Sequence, residues 1–145
     1  MKFVVKEFSE LSLEELYEIL KARSKIFILE KNMHCLDMDG MDPMAKHFFL
    51  EENGSILAYL RAFYTDDSKM TVKIGRVLSI THGVGLGAAL MQKAMADIKE
   101  NMKCKRIVVD SQKSAVGFYE KMGFKPISGE FLEEGVIHIK MQLEV

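Results

Sequence analysis

Between Arg76 and Met102 the hydrophobic period of the chain changes, and three glycines at alternate positions mark the change. Ahead of them a β-branched and apolar stretch, roughly Met70 to Ile80, predicts a strand. Beyond Gly83, Gly85 and Gly87, the residues Leu90, Met91, Ala94, Met95, Ile98 and Met102 share one side of a 3.6-residue helix with Gly87. Gln92, Lys93, Asp97, Lys99 and Glu100 take the other side, so this helix must cover a sheet. Glycines let successive backbone N–H groups converge on one point, and a helix N-terminus adds roughly half a positive charge there. The segment therefore reads as a phosphate cradle. The glycines alone equally permit a helix that merely starts close to a sheet. A Walker loop would need Gly-Lys-Ser/Thr where Gly87-Ala88-Ala89 stands, and a dinucleotide fingerprint would need GxGxxG after an early parallel strand.

The flanking segments predict what that helix covers. Lys2 to Phe8 suits a strand, and Ser12 with Glu15 has capping-box spacing ahead of a helix whose Leu13, Leu16, Tyr17 and Leu20 form the expected buried face. A second short helix is expected from about Arg23 to Glu30, and Asn32 to Pro43 reads as an ordered loop. Asn53-Gly54 between His47–Leu50 and Ile56–Phe63 is a hairpin signal. Arg106 to Asp110 lacks alternation, as a strand buried on both faces does. A helix is predicted from Gln112 to Met122, with Gly123 as its stop. The chain closes with Ile137, Ile139, Met141, Leu143 and Val145 alternating with polar residues, a strand with one buried face. The order is β-α-α-β-β-β-α-β-α-β-β, an α+β domain with a mixed sheet over residues 1–145.

Composition excludes several functions. A net charge of -1 offers no global field to nucleic acid or to an anionic membrane surface. No apolar run reaches the ~18–20 residues of a membrane span, and a soluble, cytoplasmic protein is expected. Cys35 and Cys104 lie outside any CxxC, and the four histidines lack HxxxH spacing, so no metal site is expected. Asp37-x-Asp39-Gly40-x-Asp42 resembles a calcium loop only superficially, because Asp42 and Phe48 stand where that loop needs Gly and Glu. Its carboxylates are expected to bond backbone amides or to shape a pocket.

A second stretch adds the decisive pattern. Phe118-Tyr119-Glu120-Lys121-Met122-Gly123-Phe124 places a Phe-Tyr pair at the end of a helix, then a glycine stop, then an apolar strand start. Together with His82-Gly83-Val84-Gly85-Leu86-Gly87, it resembles the GNAT superfamily of acetyl-CoA-dependent N-acetyltransferases. That superfamily carries an Arg/Gln-x-x-Gly-x-Gly/Ala pyrophosphate motif and an FYxxxGF helix. The resemblance narrows to the ElaA-like subfamily through Phe27-Ile28-Leu29-Glu30, Cys35 to Asp42, Ala58-Tyr59-Leu60-Arg61, Ile74-Gly75-Arg76-Val77 and Glu134 to Met141. Two departures are His82 at the head of the phosphate motif and a shorter Arg76 to His82 segment.

The resemblance implies a sheet whose central strands splay into a V, and a transfer of acetyl from acetyl-CoA to a primary amine by direct attack. The backbone of Leu78, Ser79 and Ile80 would pair with the pantetheine arm, and an N–H near Leu78 or Ser79 would stabilise the oxyanion. His82 and the N–H groups from Gly83 through Val84, Gly85, Leu86 and Gly87 to Ala88 would hold the pyrophosphate. Gln112 and Phe118 complete the expected cofactor contacts. Tyr119 would protonate the CoA thiolate, because a phenol with an ordinary pKa of ~10 is protonated at neutral pH. Glu30, Asp37, His47, Asp110 or solvent could accept the amine proton. Met33, Met38, Met41 and Met44 should border the acceptor site, and His138 should face solvent or be hydrogen-bonded. The acceptor is a small molecule or a peptide amine, and pairing of the last strand across a homodimer is open. The alternative function is a CoA-binding or CoA-sensing domain without turnover.

Overall fold

The computed structural model describes residues 1–145. Its strands are β1 (Lys2–Glu7), β2 (Lys46–Glu52), β3 (Ser55–Tyr64), β4 (Thr71–Ser79), β5 (Arg106–Gln112), β6 (Lys125–Glu133) and β7 (Val136–Glu144). The α-helices are α1 (Leu13–Arg23), α2 (Leu86–Asn101) and α3 (Val116–Glu120). The seven strands form one sheet in the order β1-β2-β3-β4-β5-β7-β6, in which β4 and β5 pair in parallel and all other neighbours are antiparallel. Asn53 and Gly54 both take positive φ, which makes the β2–β3 hairpin that their sequence predicts.

Each face of the sheet has its own core. On one, α2 buries Leu90, Met91, Ala94, Met95 and Ile98 over Phe48, Leu60, Ile74, Ile107, Val109 and Met141, and Tyr119 and Phe124 join them. On the other, Ile19, Ala22, Ile26 and Phe27 pack on Val4, Phe49, Ile56, Tyr59 and Leu78.

The structure corrects five expectations. The Ser12–Glu15 capping box forms, but Leu13 and Tyr17 are 82% and 69% exposed, and the buried stripe of α1 is Ile19, Ala22 and Arg23. The stripe lies there because the buried Arg23 must reach carboxylates beneath the helix. The second short helix is a π-helical segment, Ser24–Glu30, whose last turn closes with Lys31 N–H donating to Ile26 O. The predicted Gln112–Met122 helix is shorter. Gln112 ends β5, a 3₁₀ turn spans Lys113–Ala115, and only Val116–Glu120 is α-helical. Finally, β7 lies between β5 and β6, so both its edges are paired and it cannot extend across a dimer. Within β7 the alternation fails at one end: Ile137 is exposed and His138 is buried, since the ring of Phe131 on β6 covers it.

Candidate active site

The site begins at a defect in β4. Arg61 pairs with Gly75 and Tyr59 with Leu78, so Leu60 alone opposes Arg76 and Val77, a β-bulge in which Arg76 has φ 53. The extra residue inverts the strand's faces. Ile74 points into the core under α2, and Leu78 into the core under α1. It also bends β4 away from β5, whose last β4 partner is Val109, opposite Ile74. Past that point the two strands part, as the resemblance implies.

A cavity of 540 Å³ fills the opening. Gly75, Arg76 and Val77 line it from β4, Asp110 and Gln112 from β5, and Tyr119 from α3. Tyr119 sits edge-on to Phe118 and Phe124, which fix its ring, and nothing accepts a hydrogen bond from its hydroxyl. Burial pushes the phenol pKa upward, so the group holds its proton at neutral pH.

The glycine turn lies outside this cavity, beyond the end of β4. Gly83 and Gly85 both have positive φ, 78° and 79°, which only glycine adopts without strain. Gly85 is the N-cap of α2, and no side chain caps that end. Ala89 is the first residue to donate within the helix, to Gly85 O at 3.0 Å, which leaves the N–H groups of Leu86, Gly87 and Ala88 free. The contrast with α1, whose first turn is closed by Ser12 and Glu15, is physical: α2 presents unpartnered donors and the positive end of a 16-residue helix. Gly87 differs from the other two, because a Cβ there would lie 3.8 Å from the Phe118 ring in ordinary contact.

Residues 4–145 match the family model of the acetyltransferase (GNAT) domain. The chain belongs to the GNAT acetyltransferase family. A UPF0039 protein of Schizosaccharomyces pombe is 34% identical over 149 residues, covering 100% of this chain and 98% of its own. Protein ElaA of Escherichia coli is 33% identical over 94% of this chain and 92% of its own. The crystal structure of Escherichia coli ElaA superposes with a TM-score of 0.90 at 30% identity over 97% of each chain. That of an acyl-CoA N-acyltransferase from Pseudomonas aeruginosa gives 0.87 at 29% identity, also over 97% of each. The protein is an acyltransferase of the GNAT fold.

The backbone pattern of this GNAT chain separates the residues named for the cofactor arm. Ile80 N–H donates to Leu57 O, so alternation turns the N–H of Leu78 towards β3 and that of Ser79 towards the open side. Two side chains named for the cofactor are occupied elsewhere. His82 Nε2 lies 2.6 Å from Glu30 Oε1, and Gln112 Oε1 accepts from Lys31 Nζ at 2.9 Å. Of these four residues, Lys31 and Gln112 line the cavity, whereas Glu30 and His82 lie outside it.

Of the two roles expected of the Asp37–Asp42 loop, Asp39 accepts from Met41 N–H, and Asp37 and Asp39 line the cavity; beyond both, the loop binds arginines. Arg23 donates to Asp37 and Asp42, Arg61 to Asp39 and Asp42, and Arg76 to Asp37. Burial works against ionised Asp42, but Arg23 and Arg61 outweigh it and its pKa falls; the Arg61 hydrogen bonds lower that of Asp39. The Asp37–Arg76 pair also clamps the bulge, with Arg76 donating to the Asp37 side chain at 2.9 Å and to its carbonyl at 2.8 Å. Spacing missed this network because its members are brought together only by the fold. The D-x-D-G-x-D run was its one visible signal.

Of the residues named to accept the amine proton, Glu30 is exposed against His82 and Asp37 is held by two arginines. His47 lies outside the cavity, bonded to Tyr59 and Asp42 O, and burial lowers its pKa. Asp110 does line the cavity, paired with Lys73 at 2.9 Å. Met33 and Met41 border the cavity, whereas Met38 and Met44 are exposed outside it.

Because Gly85 is left-handed, Gly85→Ala is expected to destabilise the protein by about 1–2 kcal/mol, whereas Gly87→Ala, inside a helix, does not lower stability. Denaturant midpoints of the two variants check this.

Proposed function

We propose that this acyltransferase moves the acetyl group of acetyl-CoA to a primary amine, by direct attack of the amine in a ternary complex. The observation that carries the reading is the pairing of an uncapped α2 N-terminus behind left-handed Gly83 and Gly85 with an opening in the sheet that holds the unbonded Tyr119 hydroxyl. The pyrophosphate would lie on the free N–H groups of Leu86, Gly87 and Ala88. The peptide-like pantetheine arm would pair with the free edge of β4 at Ser79. The N–H groups on that side of β4 would face the acetyl carbonyl and stabilise its oxyanion. Tyr119 would donate its proton to the departing thiolate. No covalent enzyme intermediate is required, so neither Cys35 nor Cys104 is needed as a nucleophile. The acceptor is a small-molecule or peptide amine that enters between the two halves of the V.

Acetyl-CoA is expected to raise the melting temperature, since ligand at ~100 times its Kd adds about 2.7 kcal/mol. No rise at millimolar acetyl-CoA would overturn the cradle. A panel of primary amines, assayed for CoA release, then separates turnover from binding alone: a thermal shift without release from any amine would favour a CoA-binding domain.

A further inference from the structure

We propose that His138 is the general base that takes the proton of the attacking amine. This assignment rests on the acyl-transfer reading above.

His138 is 4% exposed and lines the same cavity as Tyr119. Its Nδ1 lies 2.8 Å from the carbonyl oxygen of Val136, which can only accept, so Nδ1 carries the proton. In the neutral ring Nε2 is then a bare lone pair. No donor meets it: the nearest charged group is Glu133 Oε2 at 3.8 Å, itself an acceptor. Phe131 stacks on the ring at 5.9 Å with an interplanar angle of 26°, holding its orientation. A buried imidazole with one nitrogen anchored to the backbone and the other open to a cavity is the arrangement a proton acceptor needs.

Its place in the sheet fits the chemistry. Val109 and Met141 point into the core under α2 and α3, from which Tyr119 reaches the opening. Gln112 pairs with His138 and Asp110 with Lys140, so by alternation these four residues occupy the opposite face. The base and the acid thus approach the gap from its two sides, which matches an amine arriving on one side of the acyl carbon and a thiolate leaving on the other. In that step the amine nitrogen bonds to the thioester carbon and the carbon–sulfur bond breaks. One N–H proton passes to His138 Nε2, the Tyr119 proton passes to sulfur, and exchange with solvent restores both groups.

The charged and titratable groups that line the cavity with the imidazole are Glu133 and Glu134 at the β6–β7 turn, Asp110 on β5 with Lys140 4.0 Å from it, Lys31 from the π-helical segment, Cys35, Asp37 and Asp39 from the loop, Arg61 on β3, Lys73 and Arg76 on β4, and Tyr119. The test is His138→Gln, assayed with the fastest amine of the panel. Turnover should fall about 10²–10⁴-fold, and the acetyl-CoA thermal shift should match the wild type. An unchanged rate overturns the assignment while leaving acyl transfer standing. A wild type that transfers to no amine overturns both. Should His138→Gln not fold, ¹⁵N NMR of wild-type histidine decides: an Nδ1–H tautomer supports the base, and an Nε2–H tautomer excludes it.

Discussion

Tyr119→Phe is expected to lower turnover by about 10–1000-fold while leaving acetyl-CoA affinity within a factor of two or so. The ring is held by packing against Phe118 and Phe124, so loss of the oxygen alone leaves the wall of the cavity in place. Stability should hardly change, because the hydroxyl makes no hydrogen bond whose loss would strand a partner. The expected signature is a drop in kcat and kcat/KM together, with the thermal shift by acetyl-CoA preserved. A variant that turns over at the wild-type rate removes Tyr119 from the mechanism. The phenol's raised pKa adds a second expectation: activity should not decline on the alkaline side through ionisation of Tyr119 at any pH near neutrality.

The largest effect on stability is expected from Asp42→Ala. Asp42 accepts from Arg23 at 2.7 Å and from Arg61 at 2.9 Å, and both guanidinium groups are almost wholly buried. Removing the shared carboxylate strands two buried cations on their remaining partners, Asp37 and Asp39. Breaking a buried pair in this way costs about 3–5 kcal/mol, a fall of roughly 10–20 °C in Tm for a chain of this size. Arg61 already has one buried Nε without a partner, so it has little capacity to compensate. A loss below ~1 kcal/mol would show that the network relaxes freely. The same groups set the acid limit of the fold. Asp39 and Asp42 have lowered pKa values in the folded state, so their contribution is fully present above the unfolded carboxylate value of ~4 and is lost as pH falls from there towards the folded values. Denaturation followed from pH 6 to pH 2 should therefore show stability falling in the acid range, with a smaller fall in Asp42→Ala.

Much of the fold was legible in local pattern. Leu90, Met91, Ala94, Met95 and Ile98 repeat with the helical period, and all five are buried. Asn53-Gly54 turns where it should, because the turn needs two left-handed residues and these types supply them. Gly83 and Gly85 are left-handed for the same kind of reason, and the Phe-Tyr pair before Gly123 places Tyr119 at the opening. Local pattern failed where a polar residue is buried by a distant partner. Leu13 and Tyr17 have the period of a buried face yet lie in solvent, since Arg23 decides which side of α1 turns inward. His138 differs: of the two environments its alternation with isoleucines allows, solvent or a hydrogen bond, the structure has the second, with Nδ1 on Val136 O while Phe131 and the cavity wall enclose the ring.

The amino-acid sequence by itself therefore determined the order of the elements and the glycine turn ahead of α2, because period, capping and left-handed preference act between residues a few places apart, whereas the role expected of Tyr119 came from the family resemblance. Only the tertiary structure decided that β4 leaves β5 at Arg76, that three arginines and three aspartates share one partly buried network, and that His138 lines the same cavity as Tyr119. Asp37 is 14 residues from Arg23 and 39 from Arg76, and the pairing of such charges has no local signature. It arises when closing the sheet removes water from groups that must then find one another.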